Sequence, residues 1–239
     1  MKKAPYLLLL FLIVPLFGHA SAYWMEIKGT GKLREEVEIR IYYGNINESG
    51  QRIAQRGAEL ALTGEFRIRA RNGNGPLFTI PISLKGDCWS GTFTPEKEGV
   101  YQILGINDTH PVVDRSKTGG KNVRPVDYLC AAYQVGVVPA SSEPLQFLDI
   151  TTLMEGKRVL VKAFNQAKPA AEGTKLRVFN PENWEKELLV NGQGQAVFQT
   201  SIKGLYIIRQ DWSDPRPGTY KGIAYQQVRH RCNYFLLLQ

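Results

Sequence analysis

The sequence has few residues of the types that catalytic and metal sites most often use. Its 239 residues include only three cysteines and three histidines, and no C-x-x-C pair. The missing pair excludes zinc-ribbon and thioredoxin-type chemistry. The G-x-S-x-G, H-E-x-x-H and dinucleotide-binding fingerprints are also missing. With so few histidines, an acid–base or nucleophilic mechanism has few candidate catalytic residues. The sequence therefore predicts that the protein is not an enzyme.

The first 22 residues read as a secretory signal peptide of bacterial type. Lys2 and Lys3 give a positive start, Tyr6 to Phe17 is apolar, and a small-residue cleavage site follows, with cleavage expected after Ala22 or after Ala20. No later apolar run is long enough to cross a bilayer. We therefore expect a periplasmic or secreted protein whose mature chain has no transmembrane segment.

The charge balance is moderately positive. Thirty Lys and Arg stand against 22 Asp and Glu, and removal of Lys2 and Lys3 with the signal lowers the net charge from +8 to +6. An excess of this size favours solubility and attraction to anionic envelope surfaces. No nucleic-acid-binding motif accompanies it, so no nucleic-acid partner is predicted.

Alternation of apolar and polar residues dominates the mature chain. Val37–Tyr43 and Phe66–Arg71 alternate with period two, and a second series of such runs begins at Arg158–Phe164. The 23 glycines and 13 prolines are spread along the chain and favour short elements. Only residues 52–62 could form a short helix. The pattern predicts an all-β fold of antiparallel β-sandwiches of immunoglobulin-like or transthyretin-like type.

A small-residue and proline segment divides the chain. It predicts a linker at 141–144 between an N-terminal sandwich, 23–140, and a C-terminal sandwich, 145–239. Both halves contain the motif F-x5-G-x-Y, at Phe93–Tyr101 and at Phe198–Tyr206. Its place in each half suggests a duplicated sandwich, in which the Gly permits a tight turn and the Tyr begins a core-facing strand.

Several short motifs together resemble one family. Tyr23-Trp24-Met25-Glu26 is similar to the opening of an exported bacterial family of unknown function, described as the periplasmic component of cobalt or nickel uptake systems. The two F-x5-G-x-Y segments resemble its strand pairs, and the second half is similar to its transthyretin-like, carboxypeptidase-regulatory-like domain. The resemblance implies an accessory role in nickel or cobalt uptake, with Ni²⁺ or Co²⁺ as ligand and a metal-uptake membrane complex or another envelope protein as partner.

Two sets of residues are candidate metal ligands. Asp108, His110 and Asp114 lie in one polar loop and could hold a divalent ion with water. His230 and Cys232 are two residues apart on a predicted strand, so their side chains leave on one face. The alternative for His230 is a core-facing histidine with one hydrogen bond.

The cysteines and tryptophans leave alternatives open. Cys88 and Cys130 could form a disulfide in an oxidising compartment, or all three cysteines could be buried free thiols. The four tryptophans could line a carbohydrate or peptide groove or fill the cores.

The leading hypothesis is an exported binding or accessory protein. Its partners would be the metal-uptake membrane complex or other envelope protein named above. The alternative is a structural or adhesive module that binds a protein or glycan without metal.

Overall fold

The computed structural model of the chain describes residues 22–137 and 143–238. The predicted signal segment 1–22, except for Ala22, lies outside the described residues, and so do positions 141 and 142 of the predicted linker. Within the described part, no helix is long and apolar enough to cross a membrane.

Strands make up nearly all of the regular secondary structure in the described residues, which confirms the all-β prediction. The strands are β1 (Ala22–Lys28), β2 (Val37–Ile46), β3 (Arg52–Ala54), β4 (Arg67–Asn72), β5 (Phe78–Ile80), β6 (Ser83–Lys85), β7 (Cys88–Phe93), β8 (Gly99–Asn107), β9 (Val123–Val135), β10 (Leu148–Glu155), β11 (Arg158–Asn165), β12 (Lys168–Pro169), β13 (Lys175–Phe179), β14 (Glu185–Leu189), β15 (Gln195–Gln199), β16 (Gly204–Asp214), β17 (Gly218–Tyr220), β18 (Ile223–Tyr225) and β19 (Gln227–Leu238). One turn of α-helix, α1 (Ala58–Ala61), lies in the region where a short helix is predicted, and Ser116–Thr118 form one 3₁₀ turn.

The strands build three large sheets. The front sheet has the order β1-β2-β7-β6, with β3 also paired to β2. The central sheet has eight strands in the order β14-β13-β16-β19-β9-β8-β4-β5. The back sheet has the order β10-β11-β12, with β15 also paired to β11. Strands β17 and β18 form a separate hairpin.

The central sheet continues through both predicted domains. Strand β9 of the first half and β19 of the second run parallel from the pair Val123 and Gln227 to the pair Ala131 and Phe235, whereas the other ladders between the described strands are antiparallel. Parallel neighbours need a long connection, and these two strands are far apart in sequence. The two halves of the chain therefore share one sheet, and the domain boundaries 23–140 and 145–239 stay a prediction.

Two hydrophobic cores lie on opposite faces of the central sheet. On β9, Leu129 and Ala131 point into the front core, while Tyr128 and Cys130 point into the back core. The front core also receives Phe235 from the second half of the chain. Each core is thus built from both halves, with the front sheet covering one face of the central sheet and the back sheet the other.

The repeated motif forms the same local structure twice. The hydroxyl of Tyr101 donates to the carbonyl oxygen of Lys97 at 2.8 Å, and that of Tyr206 donates to Ile202 O at 3.0 Å. The Tyr206 oxygen also accepts the backbone N–H groups of Ser201 and Ile202, at 3.1 and 3.2 Å. Each tyrosine therefore fixes the turn before its own strand, as a tyrosine corner does in sandwich domains.

The glycines of the motif are required by backbone geometry. Gly99 has φ of +142° and Gly204 has φ of +126°, values that L side chains rarely adopt. A Cβ atom at Gly99 would lie 2.1 Å from Asn72 Oδ1, and one at Gly204 would lie 2.8 Å from Pro181 Cβ. Both positions therefore combine an unusual φ with close approach of a neighbouring segment.

The tyrosine corners predict unequal effects of removing the two hydroxyls. Tyr206→Phe leaves two backbone N–H groups without their acceptor, whereas Tyr101→Phe removes the acceptor of Lys97 N–H alone, at 3.3 Å. We expect Tyr206→Phe to lower the free energy of unfolding by about 1–3 kcal/mol, and by more than Tyr101→Phe. Urea denaturation followed by circular dichroism measures both; an equal or larger loss for Tyr101→Phe would contradict the argument.

Candidate functional site

Each of the three loop residues predicted to form a metal site interacts with another group of the protein. Asp108 Oδ2 pairs with Arg67 Nη2 at 2.8 Å. His110 Nδ1 lies 2.7 Å from the carbonyl oxygen of the next residue. Asp114 accepts the Ser116 backbone N–H at 2.9 Å, a bond that holds the pKa of its carboxyl below the usual range. The loop does not bring the three side chains together.

His230 lies in an aromatic cluster on the back face of the central sheet. Its Nδ1 is 3.1 Å from the hydroxyl of Tyr128. Its ring is stacked on Phe147 with centroids 4.7 Å apart, and Trp212 lies 5.2 Å away. His230 is therefore a packed histidine with one hydrogen bond, which is the alternative to a metal ligand that the sequence left open.

Cys130 lies against Cys232 and not against Cys88. The Sγ atoms of Cys130 and Cys232 are 3.3 Å apart, on adjacent strands β9 and β19. Cys88 is a buried free thiol on β7 of the front sheet, whereas Cys130 faces the back core. The predicted Cys88–Cys130 disulfide is therefore not formed, because the two side chains belong to different layers. Burial raises the pKa of Cys130 and of Cys232, so both thiols are uncharged near neutral pH.

The described residues contain no group of three His, Cys, Asp or Glu side chains placed to hold a metal ion. The side chains of Asp108, His110 and Asp114 are dispersed. His230 contacts aromatic rings, and Cys232 contacts the thiol of Cys130. Ni²⁺ and Co²⁺ need several nitrogen, sulfur or oxygen ligands in one place. The predicted ligand sets therefore do not fit either ion as they are arranged here.

A cleft of about 210 Å³ opens where the edge of the front sheet meets the front face of β13 and β16. Strand β1 and the ends of β2 and β3 form one wall, and β13, β16 and the turn after β13 form the other. The cleft lies between the two halves of the chain, so neither half alone contains it. Clefts at such junctions are common binding sites.

Arg209 is a buried cation in this cleft. Its residue is 6% exposed, and its Nε donates to Asn233 Oδ1 at 2.9 Å. Among the described residues it makes no ion pair, and its guanidinium lies 5.0 Å from the centroid of the Phe179 ring. Burial lowers the pKa of Arg209 to about 9, repulsion from Arg231 adds to this, and Asp211 opposes it. The group is still positively charged at neutral pH.

The acids near Arg209 are already paired with other arginines. Arg177 pairs with Glu185 at 3.8 Å and with Asp211 at 3.2 Å. The third arginine that lines the cleft is Arg52. Its Nη2 donates to the carbonyl oxygen of Leu205 at 3.5 Å. The cleft therefore has an excess of positive charge, and a buried charge without a counter-ion is costly unless a ligand supplies one.

The rest of the lining is largely apolar and aromatic. Tyr23, Trp24 and Phe179 are all buried, and Ile207 precedes Arg209 by two residues on the same face of β16. The described lining residues include no His, Cys or Ser that could act as a nucleophile or general base. The arrangement is suited to hold a ligand with an anionic group and an apolar ring.

The sequence contains a signal for this cleft, in residues that none of the predicted sites includes. In β16 the residues Leu205, Ile207 and Arg209 share one face by period-two alternation, and the first two are packed against the front core. An arginine that continues an inward-facing apolar row is unusual, because arginine is rarely buried without a partner. The meeting of β16 with β1 could not be predicted, since it depends on the packing of two sheets.

The burial of His230 predicts a pH dependence of stability. Burial lowers its pKa to about 4; Asp214 opposes this shift, and Arg124 and Arg216 contribute to it. Between pH 6.5 and 4 the unfolded chain therefore binds a proton that the folded protein does not, so stability falls as the pH falls through this window. Because the ring is only half-buried, we expect a loss of about 1 kcal/mol.

The measurement is the free energy of unfolding at pH 7 and pH 4.5 for the wild type and for His230→Phe. The variant should lose less stability on acidification, and His110→Phe serves as the matched control in a loop outside the cluster. An identical acid loss in wild type and His230→Phe would show that His230 does not carry the effect.

The thiol geometry predicts which disulfide can form on oxidation. Disulfide sulfurs are about 2.05 Å apart, and Cys130 and Cys232 are the two cysteines whose Sγ atoms lie in contact, at 3.3 Å. Non-reducing peptide mapping of protein recovered from an oxidising compartment should show Cys130 joined to Cys232, with Cys88 free. A peptide that links Cys88 to Cys130 would contradict the arrangement of the sheets.

Models of known protein families give no match to the chain, and the curated proteins give none either. The resemblance to an exported metal-uptake family thus depends on the short motifs quoted above, and the function has to be argued from the site.

Proposed function

We propose that the chain is a non-enzymatic, exported binding protein that holds an anionic ligand in the cleft between β1 and the β13–β16 face. The observation that carries the proposal is Arg209, a buried guanidinium that lines the cleft and has no acidic partner among the described residues. A carboxylate suits it best, because the planar guanidinium fork matches a carboxylate with two parallel hydrogen bonds.

The size and lining of the cleft support a ligand with one ring. A cavity of about 150 Å³ accommodates benzene, and this cleft has about 210 Å³. Phe179 and Trp24 offer the ring aromatic surface, and Arg209 with Arg52 offers its carboxylate positive charge. Benzoate combines both features and is therefore a suitable probe.

The role in nickel or cobalt uptake stays a second hypothesis. It is supported by the resemblance of Tyr23–Glu26 and of the two F-x5-G-x-Y segments. Since the candidate ligands are dispersed, such a role would depend on contact with a partner protein of the envelope. Export, likewise, is supported by the signal-like segment at residues 1–22.

The cleft predicts selective binding of benzoate to the full mature chain. Isothermal titration should detect benzoate and should show much weaker binding of neutral benzamide, which has the same shape. Arg209→Gln should weaken benzoate binding at least tenfold, because a charge-assisted hydrogen bond contributes about 1.5–3 kcal/mol. Arg52→Gln should weaken it less, since Arg52 is only partly buried whereas Arg209 is buried.

The matched control is Arg69→Gln, which removes an equal charge from an exposed position on β4, away from the cleft. It should leave benzoate binding unchanged. Equal affinity for benzoate and benzamide, or undiminished benzoate binding by both cleft variants, would overturn the proposed function.

A further inference from the structure

The cleft continues into an open groove between two facing turns. One turn is Asn47–Gln51, between β2 and β3, and the other is Asn180–Trp184, between β13 and β14. Arg52 and Asn183 line both the cleft and the groove, so the two form one continuous surface. The groove, like the cleft, brings together the two halves of the chain.

Both turns are built on the same hydrogen bonds. The side-chain Oδ1 of Asn47 accepts the backbone N–H groups of Ser49 and Gln51, and Asn180 Oδ1 accepts those of Glu182 and Trp184. A third turn, Asn191–Gln195, has the same pattern outside the groove. In each, the fourth residue has a left-handed backbone.

Asn183 is the exception at that fourth position. The other two turns have glycine there, Gly50 with φ of +78° and Gly194 with φ of +69°, whereas Asn183 has φ of +63°. A side chain in this conformation carries a cost that glycine avoids. The amide nitrogen of Asn183 donates to the carbonyl oxygen of Gly50 in the facing turn, and its Oδ1 is buried with no donor among the described residues. Asparagine tolerates a left-handed backbone better than other side chains do, so the informative feature is the unsatisfied Oδ1 acceptor, which a hydrogen-bond donor at the groove would complete.

The backbone of the groove is not arranged to pair with a peptide. The N–H groups of Ser49, Gly50 and Gln51 are bonded within the first turn, and those of 182–184 are bonded within the second. An extended peptide binds by adding a strand to free backbone groups at a sheet edge. The groove offers side chains instead, which favours a ligand that is recognised through hydroxyl and carboxylate groups.

Trp184 provides an exposed aromatic face at the groove. Its residue is 73% exposed, the largest exposure among the tryptophans of the described residues, and its own backbone is fixed by Asn180. Tryptophan is normally well buried, whereas this indole borders the groove on a backbone held by Asn180 and is free to contact a ligand. The C–H face of a pyranose ring packs against such an aromatic plane, while its hydroxyls remain available as donors.

We propose that the cleft and groove form one site for an acidic carbohydrate. A uronate carboxylate binds Arg209 in the cleft, a neighbouring sugar ring lies on Trp184, and a ligand hydroxyl donates toward Asn183. The proposal depends on the proposed anion-binding function and adds the class of ligand. It also accounts for three features that anion binding in the cleft does not explain: the exposed indole of Trp184, the left-handed backbone of Asn183 and the continuity of the cleft with the groove.

The test uses trigalacturonate as the probe, titrated into the full mature chain beside its methyl ester and benzoate. We expect trigalacturonate to bind more tightly than benzoate, and its methyl ester to bind at least tenfold more weakly than the acid. Trp184→Ala should weaken trigalacturonate binding roughly 2- to 13-fold, since an aromatic contact contributes about 0.5–1.5 kcal/mol. It should leave benzoate binding unchanged, because Trp184 lines only the groove.

Two further variants sharpen the result. Asn183→Gly keeps the turn, because glycine occupies the same position in the other two turns, and it should weaken trigalacturonate binding. Leu189→Ala removes another exposed apolar side chain, on the neighbouring strand β14, and should have no effect.

The outcomes separate the two proposals. Benzoate binding with no gain for trigalacturonate, or an undiminished trigalacturonate affinity in Trp184→Ala, overturns the carbohydrate assignment and leaves the anion cleft standing. Tighter binding of an acidic tripeptide such as triglutamate, with the same dependence on Trp184, also overturns it in favour of a peptide. If neither benzoate nor trigalacturonate binds the wild type, both proposals fall together.

Discussion

Strands β9 and β19 run side by side in the same direction, and the hydrogen bonds between them make one sheet of what would otherwise be two. Because side chains alternate along both strands, each supplies one row to the front core and one to the back core. The front sheet can therefore pack on strands from both halves of the chain. The cleft depends on this, since its walls are β1 from the first half and β13 with β16 from the second.

The front sheet covers the central sheet only in part. Where it ends, at the edge strand β1, the front face of β16 changes from apolar to charged: Ile207 is packed in the core, and Arg209 and Asp211 follow on the same face. Asp211 is shared by Arg177 and Arg231, so it is not available to Arg209. A buried cation without a counter-ion lowers stability, and its position in a cleft makes Arg209 the candidate for ligand binding.

The candidate metal ligands His230 and Cys232 show that a correctly predicted strand face does not by itself identify what its side chains contact. His230 and Cys232 do share a face of β19, as alternation predicts. The partners on that face come from other strands, however: Tyr128 and Cys130 from β9, and Phe147 from the segment before β10. Spacing along one strand states which side chains can meet, and the neighbouring strands decide what they meet.

Most of the strands, the turns and the repeated tyrosine corner follow from local properties: alternation, glycine at positive φ, and a hydroxyl that reaches back four residues. The sequence also supplied the resemblance, which stays a hypothesis. The parallel junction of β9 with β19, the contact of Cys130 with Cys232 and the cleft around Arg209 were decided only by the tertiary structure. All three join residues from different halves of the chain, and no local pattern encodes the register in which distant strands pair or the place where one sheet stops covering another.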